Sequence, residues 1–320
     1  MEVFYEIKKN IKKIIPASWK KVEEESERCK NEILAEIERL NKKVEKQEKT
    51  ISELREVAEK TLEIQKCTQK KYSDLNEQIE ELQEKNEMLK IGLDKEIGIS
   101  KEAVWAEIFN NTINSSEWLK KKKFSPGRWA LGYPALYALY RILDEFRPQN
   151  ILELGLGQSS VMTIQYVKTS SQINHTIVEH DKSWIDFFKK SHEMNENSHI
   201  IQMDIEYINY KDAELVRVYK DFLLELKNNK TFDLILIDAP IGGDMKVYSR
   251  IDVLSLIPEY LGNQFVIILD DVNRMQEKRT IREIDNKLKE SGIQAKHEIY
   301  SGEKETCVWA SENWDFLLSM

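Results

Sequence analysis

Acidic residues stand at the ends of apolar runs in this chain, and carboxylates so placed can hold a cation, accept a proton or hold hydroxyl groups. The runs end Glu153-Leu-Gly155-Leu-Gly157, Val178-Glu179, Met203-Asp204, Ile237-Asp238 and Leu269-Asp270-Asp271. After the first run, two glycines let the backbone turn tightly and approach a ligand, and Ser159 or Ser160 is placed to cap a following helix. Backbone N–H groups at such a helix start face an anionic or polar group. The dinucleotide fingerprint would need a third glycine, and Ser160 stands there instead. Asp238, Asp270 and Asp271, brought together, would repel one another and raise each other's pKa. A shared proton or a hard divalent cation resolves that repulsion, and Mg²⁺ favours a few carboxylates plus water and substrate oxygens. Without an ion, Asp238 or Asp270 becomes a general base for a hydroxyl.

The elements that must position these acids follow from periodicity. After Asn150 the pattern alternates strand and helix, which predicts a parallel sheet flanked by helices. Strands are expected near 151–155, 174–179, 199–203, 232–238 and 264–270, with helices near 158–169, 182–191, 212–228, 249–261 and 275–290. Two last strands, near 293–300 and 304–310, are joined by Ser301-Gly302-Glu303, short enough only for an antiparallel pair. Open α/β sheets bind ligands beyond the carboxyl ends of their strands, where the acids fall. Side chains alternate along a strand, so Asp270 and Asp271 face one ion only where the strand has ended. The loops after the fourth and fifth strands carry Asp244, Lys246, Tyr248, Arg250, Asn273 and Arg274. Tyr248, Arg250 and Arg274 suit a polyhydroxylated or anionic acceptor.

Upstream the character changes. Between Val22 and Ile91 there is neither proline nor glycine, and Glu, Lys, Gln, Leu and Ile dominate. In one heptad register the a places run Ile37, Val44, Ile51, Ala58, Gln65, Tyr72, Ile79, Asn86 and Leu93. The d places run Ile33, Leu40, Gln47, Leu54, Thr61, Thr68, Leu75, Leu82 and Leu89. A seven-residue repeat held this long implies a left-handed coiled coil, and β-branched a with Leu at d favours a parallel homodimer. The rod would be on the order of 100 Å long at 1.5 Å per residue. Residues 1–15 alternate Phe4, Ile7, Ile11, Ile14 and Ile15 with lysines, which suits either peripheral contact with an anionic membrane or a short helix packed on its own protein. Pro16 allows a fresh helix to start, and Gly92 to Gly98 is expected to break one. Pro134 should open another. The expected domains are an amphipathic start (1–21), a coiled coil (22–95), a helical linker or lid (96–147) and an α/β domain (148–320).

A net charge of −8 argues against a broad electrostatic grip on nucleic acid. Three scattered cysteines, without metal-ligand spacing, favour a reducing compartment. No apolar run approaches a membrane span and the start lacks a signal peptide's apolar core, so a cytoplasmic location, with a peripheral membrane contact open, is the expectation.

Glu153-x-Gly155-x-Gly157, five βα steps and a closing hairpin together resemble the class I S-adenosylmethionine-dependent methyltransferases over roughly residues 130–310. The resemblance implies a Rossmann-like seven-stranded sheet whose last strand inserts antiparallel, with S-adenosylmethionine held by Glu153, Gly155, Gly157, Ser159, Glu179 (ribose) and Asp204 (adenine). The carboxylates at the fourth and fifth strands look like those of metal-dependent O-methyltransferases, of the catechol type and the macrocin-type sugar enzymes. That likeness implies Mg²⁺ on Asp238, Asp270 and Asp271, with Asp238 and Asp270 catalytic. The Asp-Asp pair brings the chain closer to the sugar enzymes, so the expected acceptor is a hydroxyl of a sugar or glycan. The alternatives are a metal-free methyltransferase on another small molecule, and a coiled-coil scaffold with an inactive nucleotide-like site.

Overall fold

The structure, a computed structural model, describes residues 2–127, 129–226 and 231–319, with side chains described throughout these except at 11–18. Arg128, the end of the helix expected at 212–228, and the side chains of Ile11, Lys12, Lys13, Ile14 and Ile15 lie outside that set.

A helix, α1, spans Glu2–Asn114. No fresh start appears at Pro16 and no break at Gly92 to Gly98. A glycine costs a helix interior about 1 kcal/mol relative to alanine, which lowers its stability without ending it. The chain divides into two compact units, Met1–Glu87 and Met88–Met320. In the first, the heptad places are exposed; Ile37, Leu40 and Val44 are each about half accessible (48%, 49%, 49%). In the second, the helix joins a core: Phe109 and Ile113 are buried with Leu131, Leu136 and Tyr137. Gly98 has a packing role there, since a Cβ on it would lie 3.2 Å from the Gly302 carbonyl oxygen. Trp105 Nε1 donates to the neighbouring Ser301 carbonyl at 3.2 Å. The segment expected as a linker is therefore part of the second unit's interior. Among the described residues no helix is long and apolar enough to cross a membrane.

Downstream come α2 (Tyr133–Arg141), β1 (Asn150–Leu154), α3 (Gln158–Val167), β2 (Asn174–Glu179), α4 (Lys182–Ser191) and β3 (Ser198–Gln202). They are followed by β4 (Ile205–Tyr210), β5 (Ala213–Tyr219), α5 (Phe222–Leu226), β6 (Phe232–Ile237), β7 (Leu261–Leu269), α6 (Met275–Glu290), β8 (Ala295–Ser301) and β9 (Glu305–Ser311). One seven-stranded sheet has the order β3-β2-β1-β6-β7-β9-β8. The first five strands in that order are mutually parallel, and β9 runs antiparallel between β7 and β8. This is the methyltransferase sheet, an α/β fold reached from Pro134, which opens α2 as expected. Alternation along its strands fills both faces. Leu152, Leu154, Ile235, Ile237, Ile267 and Leu269 enter one core, and Ile151, Leu234, Leu236, Val266 and Ile268 the other.

Two expected helices are corrected. Residues 205–219 form a hairpin, β4 antiparallel to β5. Ile205, Tyr207 and Ile208 carry strand-favouring side chains, and Lys211 turns the chain at φ 52°. The helix expected at 249–261 is a 3₁₀ segment over Ile251–Leu256, since Pro258 donates no hydrogen bond and β7 already begins at Leu261.

Candidate cofactor and acid site

The strand ends meet in register. Gly155 N donates to Val178 O at 2.9 Å, Asp238 N to Leu154 O at 2.9 Å, and Asp270 N to Ile237 O at 3.0 Å. Gly155 sits at φ +107°, and a Cβ there would lie 3.1 Å from the Ala239 Cβ, so only glycine turns the chain here without strain. Gly157 differs: its φ of −165° is extended, and a Cβ would meet nothing within 4 Å. Gly157 N donates to Ser160 Oγ at 3.0 Å, which closes the start of α3.

Beside this turn lies a cavity of about 570 Å³. Its walls include Gly155, Gly157, Ser159, Glu179, Trp184 and Asp238, and its mouth carries Trp129, 86% exposed. Trp184 Nε1 donates to Leu156 O at 2.6 Å and so braces the glycine turn.

Glu179 is held by its own loop. Its Oε1 accepts from His180 N (2.7 Å) and Asp181 N (2.9 Å) and pairs with His180 Nδ1 (2.8 Å). Oε2 accepts only from Leu156 N, at 3.2 Å. Burial pushes this carboxyl up, but the His180 and backbone hydrogen bonds outweigh it and hold it below the usual carboxylate range. Asp181 instead caps α4, accepting from Ser183 N and Trp184 N.

Glu153 lies beneath the turn, outside the cavity wall. Fully buried, it accepts from Ser159 Oγ and lies 2.9 Å from His175 Nε2, so it props the loop from below. Asp204 also lies off the wall: it is exposed, and its carbonyl accepts from Lys220 N where the β4–β5 hairpin closes. Strand position alone had put both among ligand contacts; the pleat turned one inward, and the inserted hairpin took the other.

The three acids do converge, one oxygen from each lying within 4.8 Å of the others. They do not converge alone. Arg250, only 3% exposed, donates through Nη2 to Asp271 Oδ2 (2.8 Å) and Asp238 Oδ1 (3.3 Å), and through Nη1 to the Asp270 carbonyl (2.8 Å). Arg274 pairs with Asp271 Oδ2 at 3.0 Å. Lys304 reaches Asp271 Oδ1 (3.1 Å), Asp270 Oδ2 (3.4 Å) and the Ala130 carbonyl (2.9 Å). Thr306 donates to Asp270 Oδ1 at 2.5 Å. Glu277 lies 3.9 Å from Arg250 and 3.7 Å from Arg274. Arg250 and Asp271 both adopt left-handed backbone, φ 55° and 61°, the kind of strain that collects at working sites.

Burial raises two of the three acids. It pushes Asp238 up to about 8, with Asp270 and Asp271 adding and Arg250 and Lys304 opposing. Asp270 is raised as well, by burial. For Asp271 the Arg250, Lys304 and Arg274 charges outweigh burial and hold it low. Only Asp238 of the three faces the cavity.

Two of the residues expected to meet acceptor are buried in other contacts, outside the cavity wall. Arg250 is the acids' buried counter-ion. Tyr248 is buried with its hydroxyl 3.4 Å from Glu283 and its ring edge-on to Tyr210. Arg274 remains one third exposed beside Asp271. Lys304, Thr306 and Trp184 were not singled out from the sequence. Lys304 lies just before β9 and Thr306 within it, but only the β7–β9 register, Leu269 opposite Cys307, brings both to Asp270.

No family model matches this chain, and no curated protein matches it. Solved structures do. A protein from Staphylococcus aureus described as a caffeoyl-CoA O-methyltransferase aligns at 16% identity over 66% of this chain and 99% of its own, with a TM-score of 0.42. An O-methyltransferase from Bacillus cereus in complex with SAH aligns at 15% identity over 67% and 91%, TM-score 0.40. The O-methyltransferase TomG from Streptomyces achromogenes, in complex with SAM, aligns at 13% identity over 66% and 98%, TM-score 0.41. The fold assignment above rests on the strand order itself.

Proposed function

We propose that this protein is an S-adenosylmethionine-dependent methyltransferase, and more narrowly an O-methyltransferase acting on a hydroxyl of a sugar or glycan. One observation carries the reading: Gly155, Gly157, Glu179 and Asp238, from three separate strand ends, line a single cavity of about 570 Å³. The residues fit the cofactor. Gly157 leaves open space where a side chain would project, and Glu179 keeps Oε2 short of partners for a ribose hydroxyl. Ser159 and Trp184 complete that wall. Bound S-adenosylmethionine would supply an electrophilic methyl group. Asp238 accepts the proton of the acceptor hydroxyl as the O–CH₃ bond forms and the S–CH₃ bond breaks, the thioether leaving as S-adenosylhomocysteine. Asp238 does so in its ionised form, which a carboxyl pushed up to about 8 by burial reaches on the alkaline side of neutrality. The sugar class is supported by the resemblance to sugar enzymes and by the exposed Trp129, a flat face on which a ring can lie.

Mg²⁺ belongs to the same resemblance, but the residues present do not fit it, because both oxygens of Asp270 and of Asp271 are already engaged by Arg250, Arg274, Lys304 and Thr306. The exposed a and d stripe of the first unit supports a parallel coiled-coil homodimer as the chain's own partner.

The test is a melting curve with S-adenosylhomocysteine against NAD, since a ligand bound only by the folded state raises the midpoint. A shift with the former alone is expected, and its absence sinks the reading. Transfer of labelled methyl to sugars and glycans then identifies the acceptor class. Asp238→Asn should lose transfer while keeping the S-adenosylhomocysteine shift.

A further inference from the structure

The resembled O-methyltransferases neutralise their strand-end acids with a divalent ion; this chain does so differently. Four acids, Asp238, Asp270, Asp271 and Glu277, meet three cations, Arg250, Arg274 and Lys304. Both oxygens of Asp270 and both of Asp271 have partners, supplied by Thr306, Lys304, Arg250 and Arg274. A divalent ion needs those oxygens and would add two positive charges beside a guanidinium and an ammonium. Nor is Arg250 free to withdraw. It is buried, its Nη1 is tied to the Asp270 carbonyl, and its Nε points to the Pro240 carbonyl at 3.4 Å.

Lys304 adds something an ion would not. Its ammonium also donates to the carbonyl of Ala130, which lies in the cavity wall between Trp129 and Leu131. One side chain, from the residue just before β9, thus joins the acids to the loop over the cavity.

We infer that Arg250 and Lys304 stand in the place of a divalent ion, so that the acid cluster is neutralised from within the chain, and that Lys304 latches the 129–131 wall to it. Lys304 is then a positioning residue whose loss loosens the cavity. The inference rests on the methyltransferase reading only for what the cavity holds.

Titrating the full-length chain with Mn²⁺, read by electron paramagnetic resonance, tests the first half without any variant. No stoichiometric Mn²⁺ should bind, with or without S-adenosylhomocysteine, and the melting midpoint should be the same in Mg²⁺ and in EDTA. One Mn²⁺ per chain, lost in Asp270→Asn, overturns it. For the latch, Lys304→Met should weaken S-adenosylhomocysteine binding roughly tenfold, as expected for a lost hydrogen bond to a charged group, and Lys304→Arg should restore most of it. A Lys304→Met protein that melts cooperatively and binds as tightly as the parent refutes the latch. If the parent itself gives no response to S-adenosylhomocysteine, the methyltransferase reading fails, and the Mn²⁺ titration still decides the question of the ion.

Discussion

Replacing Gly155 and Gly157 by alanine, one at a time, separates what folds the turn from what leaves room for a ligand. At Gly155 the methyl group would sit 3.1 Å from the Ala239 Cβ and 3.4 Å from the Ala239 nitrogen, on backbone at φ +107°. Backbone strain of about 1–3 kcal/mol and overpacking of about 1–3 kcal/mol together predict a loss near 2–6 kcal/mol, a large part of an ordinary domain's stability of about 5–15 kcal/mol. At Gly157 neither penalty applies, because the backbone is extended and a Cβ meets nothing. Alanine there should leave stability unchanged or raise it by about 0.4–1 kcal/mol through the unfolded chain, yet project a methyl into the cavity. Urea unfolding gives the stabilities, and calorimetric titration with S-adenosylhomocysteine gives the affinities. The expected pattern is crossed: Gly155→Ala loses stability, while Gly157→Ala keeps it and loses affinity. A Gly157→Ala protein with the parent's affinity would mean that the turn is an ordinary αβ connection and no cradle.

Other outcomes follow from the same geometry. Trp184→Phe keeps an aromatic ring but removes the indole N–H bond to Leu156 O, so ligand affinity should fall by about 0.5–1.5 kcal/mol in the same titration; an unchanged value would show that the brace does nothing. His180 is raised above its ordinary pKa by its hydrogen bond to Glu179, so its contribution to stability is complete below about pH 6.5 and is lost as pH rises through the folded value. Glu179, held low, contributes above about pH 4.3 and loses that contribution as pH falls through its folded value. Melting midpoints across pH should therefore decline on the alkaline side in the parent and decline less in His180→Gln. In the rod, Leu54→Glu with Leu82→Glu puts charge into two d places, and light scattering should report half the parent's mass; a parent already monomeric would refute the pairing.

Much of this protein is legible in one dimension because the relevant physics is local. Alternation at Ile151–Leu154 and Leu234–Ile237 marks strands buried on both faces, two glycines mark a turn, and a stretch rich in Glu, Lys, Gln, Leu and Ile without proline marks a long helix. Those signals were enough for the sheet, its closing hairpin, and a hollow shared by Glu179 and Asp238. They failed where composition misleads: residues 213–219 look helical by content, yet pair as a strand with 205–210. They failed also for the charge balance, because pairing across a sheet depends on register and carries no sequence distance. Arg250 and Arg274 were visible as loop residues but not as counter-ions, and Lys304 was not visible at all. Tertiary structure alone decided that Asp270 and Asp271 face built-in cations, because β9 slides between β7 and β8 and brings Lys304 and Thr306 over them. In a low-dielectric interior that juxtaposition, set by folding, determines which acids are held by cations and leaves Asp238 as the one of the three that lines the cavity.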